Sequence, residues 1–116
     1  LAVVIVTNQA GIGRGYYTEA DFQRLTQWML ERFREQRAPV DRVYHCPYHP
    51  EHGVGEYRRE SDWRKPAPGM LLQAAADLGL DLAGSVLVGD SESDIEAGRR
   101  AGLRRTILVA DHAAPT

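Results

Sequence analysis

The sequence has no apolar run near the ~20 residues that a membrane-spanning helix needs. Its start shows no basic stretch, apolar core and small-residue cleavage site in succession, so no secretory leader is legible. It has a single cysteine, Cys46, which excludes an internal disulfide and fits a reducing, cytoplasmic setting. It has no surplus of positive charge. Lys and Arg number 14 against 16 Asp and Glu, a net charge of -2, so no broad basic field invites nucleic acid or an anionic membrane. No internal repeat and no low-complexity segment is present. The chain also lacks an initiating methionine and enters directly into the apolar run Leu1 to Val6, so we expect further protein before it.

What remains is an ordinary globular balance, 43% hydrophobic and 26% charged, in 116 residues. One domain over residues 1–116 is expected, incomplete at its N-terminal side. Four apolar segments read as buried strands: Leu1 to Val6, Arg42 to His45, Val86 to Val88 and Thr106 to Val109. A glycine-rich turn follows the first, Gly11 to Gly15. Thr18 is a good N-cap with Asp21 three residues on, and Phe22, Leu25, Met29 and Phe33 then repeat at helical spacing. Pro68 opens a second helix that Gly79 stops, and a third runs from about Ser93 to Ala101 before Gly102. Residues 46–63 show no period and read as a long loop near the strand ends, of a length that is usually functional or flexible. Alternating strands and helices predict a doubly wound, Rossmann-like parallel α/β sheet. Ligands of such sheets bind at the carboxyl ends of the strands.

The chemistry-bearing residues cluster at those ends. Thr7, Asn8 and Gln9 follow the first strand, where a hydroxyl and successive N–H groups can grip phosphate oxygens; the plainer reading is a turn cap. Arg64 and Lys65 precede a helix start, a plausible anion site; the plainer reading is two solvated cations. Asp90 and Asp94, in Gly89-Asp90-Ser91-Glu92-Ser93-Asp94, bring carboxylates to the end of an apolar strand, which suits Mg²⁺. The plainer reading there is helix capping, yet a carboxylate at a buried strand end is costly without a partner. His45, Cys46, His49 and His52 lie close enough in sequence to raise zinc, but a second ligand pair is missing.

Taken in order, these segments resemble the haloacid-dehalogenase superfamily. Val4-Ile5-Val6-Thr7-Asn8-Gln9 is similar to its second motif, Lys65 in Arg64-Lys65-Pro66 to its third, and Gly89 to Asp94 to its fourth. The Thr7 to Gly15 stretch, Cys46-Pro47-Tyr48-His49-Pro50 and Arg64 to Met70 resemble more narrowly the branch of heptose bisphosphate and histidinol-phosphate phosphatases. The resemblance implies a Mg²⁺-dependent phosphomonoesterase of carbohydrate metabolism and lipopolysaccharide biosynthesis. It implies attack on a sugar phosphate, a heptose 1,7-bisphosphate at position 7, through an aspartyl-phosphate. Thr7 would bind the transferring phosphoryl group and Lys65 would neutralise it. Asp90 would hold Mg²⁺ with the nucleophile, and Asp94 is a further candidate to support the metal end of the site. Thr7, Asn8, Gln9 and Ala10 with Arg64 and Lys65 would contact substrate.

Two departures stand out. The superfamily's first motif, Asp-x-Asp on the central strand, occurs nowhere in the chain, so the nucleophile is expected upstream. Zinc-binding relatives carry a Cys-x-His and a Cys-x-Cys pair in the loop; here Cys46 remains, but the other positions are Tyr48, Ser61 and Trp63, so no zinc is expected. Alternatives are a histidinol-phosphate phosphatase, a polynucleotide 3′-phosphatase, whose second motif also reads Thr-Asn-Gln, and a catalytically silent phosphate-binding module. The expected partner is a small phosphorylated sugar, with no nucleic acid and no membrane, and the protein is expected to be a monomer.

Overall fold

Hydrophobic period and turn chemistry lay down the following order of elements in a computed structural model that describes residues 1–109. It runs β1 (Val4–Asn8), α1 (Ala10–Gly13), α2 (Glu19–Glu35), β2 (Arg42–Cys46), a 3-10 turn (Gly55–Tyr57), α3 (Gly69–Leu78), β3 (Val86–Gly89), α4 (Glu92–Ala101) and β4 (Arg105–Leu108). The chain divides into two compact units at Arg64/Lys65. The expected domain's last seven residues lie outside the described part.

In the first unit β1 pairs in parallel with β2, with Thr7 opposite His45 and Asn8 opposite Cys46. Parallel strands need a crossover, and α2 supplies it. The capping box at its start is formed: the Asp21 amide donates to the Thr18 hydroxyl at 3.0 Å, and the Thr18 amide donates to the Asp21 carboxylate at 2.9 Å. The apolar face differs from expectation. Phe22 and Thr26 are buried, whereas Leu25 is 62% exposed and Phe33 39%. At about 100° per residue, Thr26 and Met29 flank Phe22 more closely than Leu25 does. A threonine thus takes a core position because of its angle on the helix.

The first strand begins and ends later than expected. Val3 is instead tied outside the ladder, its amide donating to the Asp41 carboxylate at 2.7 Å and its carbonyl accepting from the Asp41 amide at 2.8 Å. Thr7 and Asn8 therefore belong to the ladder itself. The strand is half-buried, not fully covered, and Leu1 and Val3 are exposed. The glycine-rich segment is also more ordered than a turn, for Ala10–Gly13 forms a single helical turn, the Arg14 amide donating to the Ala10 carbonyl at 2.9 Å.

The loop from Cys46 to Trp63 is aperiodic but well held. His49 bridges to Arg58, and the Val54 amide donates to the Gly13 carbonyl at 2.7 Å. Tyr48 packs on Tyr57 with centroids 6.0 Å apart, the Arg59 guanidinium lies 4.5 Å over the Tyr48 ring, and Trp63 meets Tyr44 edge-on at 5.8 Å. Tyr48 and Trp63, which stand where zinc-binding relatives carry ligands, anchor the loop by packing.

In the second unit β3 pairs in parallel with β4, with α4 as the crossover and α3 packed on α4. Met70, Ala74, Leu87, Ala97 and Leu103 form its buried core. Strand alternation sorts the sheet's two faces. Leu87 and Thr106 lie under Gly98 of α4. Val86, Val88, Ile107 and Val109 project from the other face and are 48–62% exposed. These strands read as buried from their apolar runs, yet one face of the β3–β4 pair is exposed.

An open apolar face on a two-stranded sheet invites association. The 116-residue chain alone should therefore run in light scattering as species heavier than its 12.9 kDa monomer at micromolar concentration. Val88→Lys with Ile107→Glu should shift the population toward monomer. A monodisperse wild-type chain would show that the face is harmless.

Candidate active site

The candidate residues divide between the units: Thr7, Asn8, Gln9, Ala10 and Arg64 lie in the first, and Lys65, Asp90 and Asp94 in the second. In the first unit, the β1–β2 register sets Thr7 at the carboxyl end of its strand beside His45. The Thr7 hydroxyl accepts from the Gln9 carboxamide at 2.9 Å and donates to the Asn8 carbonyl at 3.3 Å. The Gln9 amide donates to the Cys46 carbonyl at 2.8 Å, which extends the ladder by one bond. Ala10 then starts α1. The Gln9 side-chain carbonyl accepts from the Tyr17 hydroxyl.

His45 Nε2 lies 2.9 Å from a Glu19 carboxylate oxygen, with its ring 4.5 Å from Phe22. Tyr17 and Glu19 carry no motif signal and His45 stands out in sequence only as a zinc candidate, yet all three gather beside the Thr7 to Ala10 segment. The position of His45 at the end of β2, level with Thr7 at the end of β1, is the signal that could have found it.

Arg64 is half-buried, and its Nη1 is fully enclosed without a hydrogen-bond acceptor among the described residues. A buried guanidinium nitrogen lacking an acceptor is expensive, and an anion would satisfy it. His49 lies near the same charges. Partial burial first, then the nearby Arg64, His52 and Arg14 side chains, hold its imidazole below the ordinary value. Its Nδ1 accepts the amides of Glu51 at 3.1 Å and His52 at 3.0 Å, as a neutral ring must.

In the second unit Lys65 and Asp94 form an ion pair, their side chains only 13% and 9% exposed. Lys65 is therefore no solvated surface cation. One Asp94 oxygen takes the Lys65 ammonium. The other accepts the Asp90 amide at 3.1 Å, the Ser91 amide at 3.2 Å and the Ser91 hydroxyl at 3.0 Å. Asp94 thus caps α4 and serves as counter-ion at once. Burial raises its pKa, but the Lys65 hydrogen bond and charge, with Ser91, outweigh that and hold the carboxyl below the usual range. Gly89 permits this approach, since a Cβ there would lie 2.4 Å from that of Asp94.

Asp90 is exposed at the end of β3, its backbone held by Asp94. Its hard oxygens fit Mg²⁺, which commonly takes one or two carboxylates and keeps several waters. Asp94 fits less well as a direct ligand, because both its oxygens are engaged. No group of three His, Cys, Asp or Glu side chains gathers around a metal position among the described residues. The zinc candidates are committed elsewhere. Cys46 is fully buried, His45 faces Glu19, and His49 accepts two amides while stacking on His52 at 4.7 Å. These residues do not fit a zinc site.

The parallel strands, the strand-end carboxylate and the lysine paired behind it define a class. Residues 62–114 match the HAD-hydrolase-like family model, and by sequence and by fold the chain is similar to haloacid-dehalogenase-like hydrolases. More particularly, it is 59% identical over 108 residues to the D-glycero-alpha-D-manno-heptose-1,7-bisphosphate 7-phosphatase of Burkholderia mallei, a match covering 93% of this chain and 57% of that protein. A Mesorhizobium loti structure described as a HAD-like phosphatase superposes with a TM-score of 0.89 at 45% identity, over 93% of this chain and 52% of that one. D,D-heptose 1,7-bisphosphate phosphatase from B. bronchiseptica, complexed with magnesium and phosphate, superposes at 0.78 with 33% identity, over 91% of this chain and 55% of that one. The chain thus spans somewhat more than half the length of the relatives it matches.

Asp94→Asn should destabilise the protein by about 3 kcal/mol at neutral pH, because it leaves a buried ammonium without its counter-ion. The wild type's advantage should be complete above the ordinary carboxylate pKa of 3.8 and vanish as pH falls through the lowered folded value. Urea unfolding of both proteins across that range checks it. Metal analysis of protein purified without added zinc should find well under one equivalent. A tightly bound stoichiometric zinc would contradict the side-chain commitments of Cys46, His45 and His49.

Proposed function

We propose that the whole protein is a Mg²⁺-dependent phosphomonoesterase acting in the cytoplasm on a phosphorylated sugar. The substrate in this reading is D-glycero-D-manno-heptose 1,7-bisphosphate, which loses its 7-phosphate through an aspartyl-phosphate. The observation that carries the reading is the buried Lys65–Asp94 pair. A lysine fixed by a capped carboxylate at a strand end is an arrangement suited to a fixed positive charge for phosphoryl oxygens. High identity to a heptose bisphosphate phosphatase supports the substrate.

Phosphoryl transfer depends mostly on positioning and on neutralising charge over the phosphoryl oxygens. The Thr7 hydroxyl donates to one of those oxygens in this reading, and the amides following it add further donors. Lys65 supplies positive charge, and Asp94 keeps its ammonium from wandering. Arg64, with an enclosed nitrogen lacking an acceptor, takes an anionic group of the substrate as a fork. Asp90 would hold Mg²⁺, which when bound screens the phosphate and the attacking carboxylate from each other. That nucleophile belongs to the superfamily's Asp-x-Asp motif, which these 116 residues do not contain. Asp21, Asp77 and Asp94 lie in helices and are unsuited to the role.

Asp90→Asn in the whole protein should lower kcat by roughly 100-fold and weaken the response to Mg²⁺, since a neutral amide is a poor ligand. The assay set is heptose bisphosphate, histidinol phosphate and a 3′-phosphorylated oligonucleotide, with turnover expected on the first and none from the 116-residue chain alone. Unchanged turnover and Mg²⁺ requirement in the variant would reduce Asp90 to a structural residue. Preference for another member of the set would move the substrate.

A further inference from the structure

We propose that Tyr17 is a positioning residue, whose hydroxyl sets the Gln9 carboxamide and through it makes the Thr7 hydroxyl a donor toward a bound phosphoryl oxygen. The proposal rests on the reading of Thr7 as a phosphoryl-binding group. The chain of contacts is continuous: the Tyr17 hydroxyl donates to the Gln9 carbonyl, and the Gln9 NH₂ donates to the Thr7 oxygen at 2.9 Å.

The direction of the chain matters. A carboxamide has a donor end and an acceptor end, and a threonine hydroxyl can play either role. With Tyr17 donating, the acceptor end of Gln9 is taken up and its donor end faces Thr7. Thr7 must then spend its own proton elsewhere. Its present acceptor is the Asn8 carbonyl at 3.3 Å, a long contact that a phosphoryl oxygen can displace. If Gln9 turned over, Thr7 would donate to Gln9 and present only lone pairs to an anion.

The local sequence is built to bring Tyr17 there. Its ring packs against Gly11: a Cβ at that position would stand 2.3 Å from Cε1, 2.9 Å from Cζ and 3.0 Å from the hydroxyl oxygen. The Tyr16 amide donates to the Gly11 carbonyl at 2.9 Å, closing the chain back on itself. Of the two adjacent tyrosines, Tyr16 is 73% exposed and Tyr17 is half-buried. The glycine-rich run that follows the second motif thus has a stated task, to seat one phenol behind the phosphate-gripping segment.

The test is Tyr17→Phe in the whole protein, which removes one oxygen and keeps the ring. Steady-state kinetics on heptose bisphosphate, calorimetric titration with inorganic phosphate in the presence of Mg²⁺, and thermal unfolding are measured together. A hydrogen bond to a charged group sets the scale. The expected result is about a tenfold fall in kcat/KM, about tenfold weaker phosphate binding, and an almost unchanged Tm. Gly11→Ala, which must push the ring away, should reproduce the kinetic loss, and Tyr16→Phe should change nothing. A Tyr17→Phe protein with wild-type kcat/KM and phosphate affinity would overturn the proposal, as would losses that merely track the folded fraction. Wild-type protein that shows no turnover, yet binds phosphate more tightly than Tyr17→Phe does, would overturn the phosphatase reading and leave the positioning role standing. Wild-type protein indifferent to phosphate would overturn both.

Discussion

The buried contact between the Lys65 ammonium and the Asp94 carboxylate governs the second unit. Removing two charges from water costs several kcal/mol each, and their attraction offsets this only when the remaining valences are also satisfied. Asp94 meets that condition with four donors, one from Lys65, one from the Asp90 amide and two from Ser91. The same four bonds start α4, bend the chain after β3 and orient the backbone that presents Asp90. A glycine at position 89 is the steric condition for all of them. Helix capping and ion pairing therefore cannot be separated at Asp94. The carboxylate that caps the helix is the one that holds the lysine.

The first unit reaches a comparable end by neutral hydrogen bonds. The ladder of β1 and β2 carries Thr7 and Asn8 to the strand ends, and the Gln9 amide adds one more bond to the Cys46 carbonyl. Beyond it the chain turns through α1, so that side chains from both arms of the turn meet at Gln9. The long loop is secured by aromatic and cation–π contacts around Tyr48, Tyr57 and Arg59, and by the His49 ring accepting two amides. These contacts occupy the residue types that would otherwise invite a metal. Cys46, fully buried, behaves as a small core residue.

Most of the elements were legible in the sequence because their causes are local. Thr18 with Asp21 announced α2, Gly79 and Gly102 closed α3 and α4, and the apolar runs located all four strands to within a few residues. The roles of Thr26 and Leu25 were not legible, because helical angle placed the polar residue inward. Asp94 looked like a choice between capping and function, and its carboxylate both caps α4 and pairs with Lys65. Lys65 looked as if it could be a solvated cation, and only its distant partner 29 residues on makes it otherwise.

The sequence by itself determined the parallel α/β class, the approximate bounds of the three longer helices and the residue types gathered at the strand ends. It did so through periodicity, caps and glycines, all of which act within a few residues. Tertiary structure alone decided which side chains meet: Lys65 with Asp94, Tyr17 with Gln9, His45 with Glu19. Those pairings depend on strand register, on the path of a crossover helix and on the absence of a Cβ at Gly11 and Gly89. Such contacts join residues from 8 to 29 positions apart whenever backbone packing, and not sequence spacing, brings them within hydrogen-bond reach.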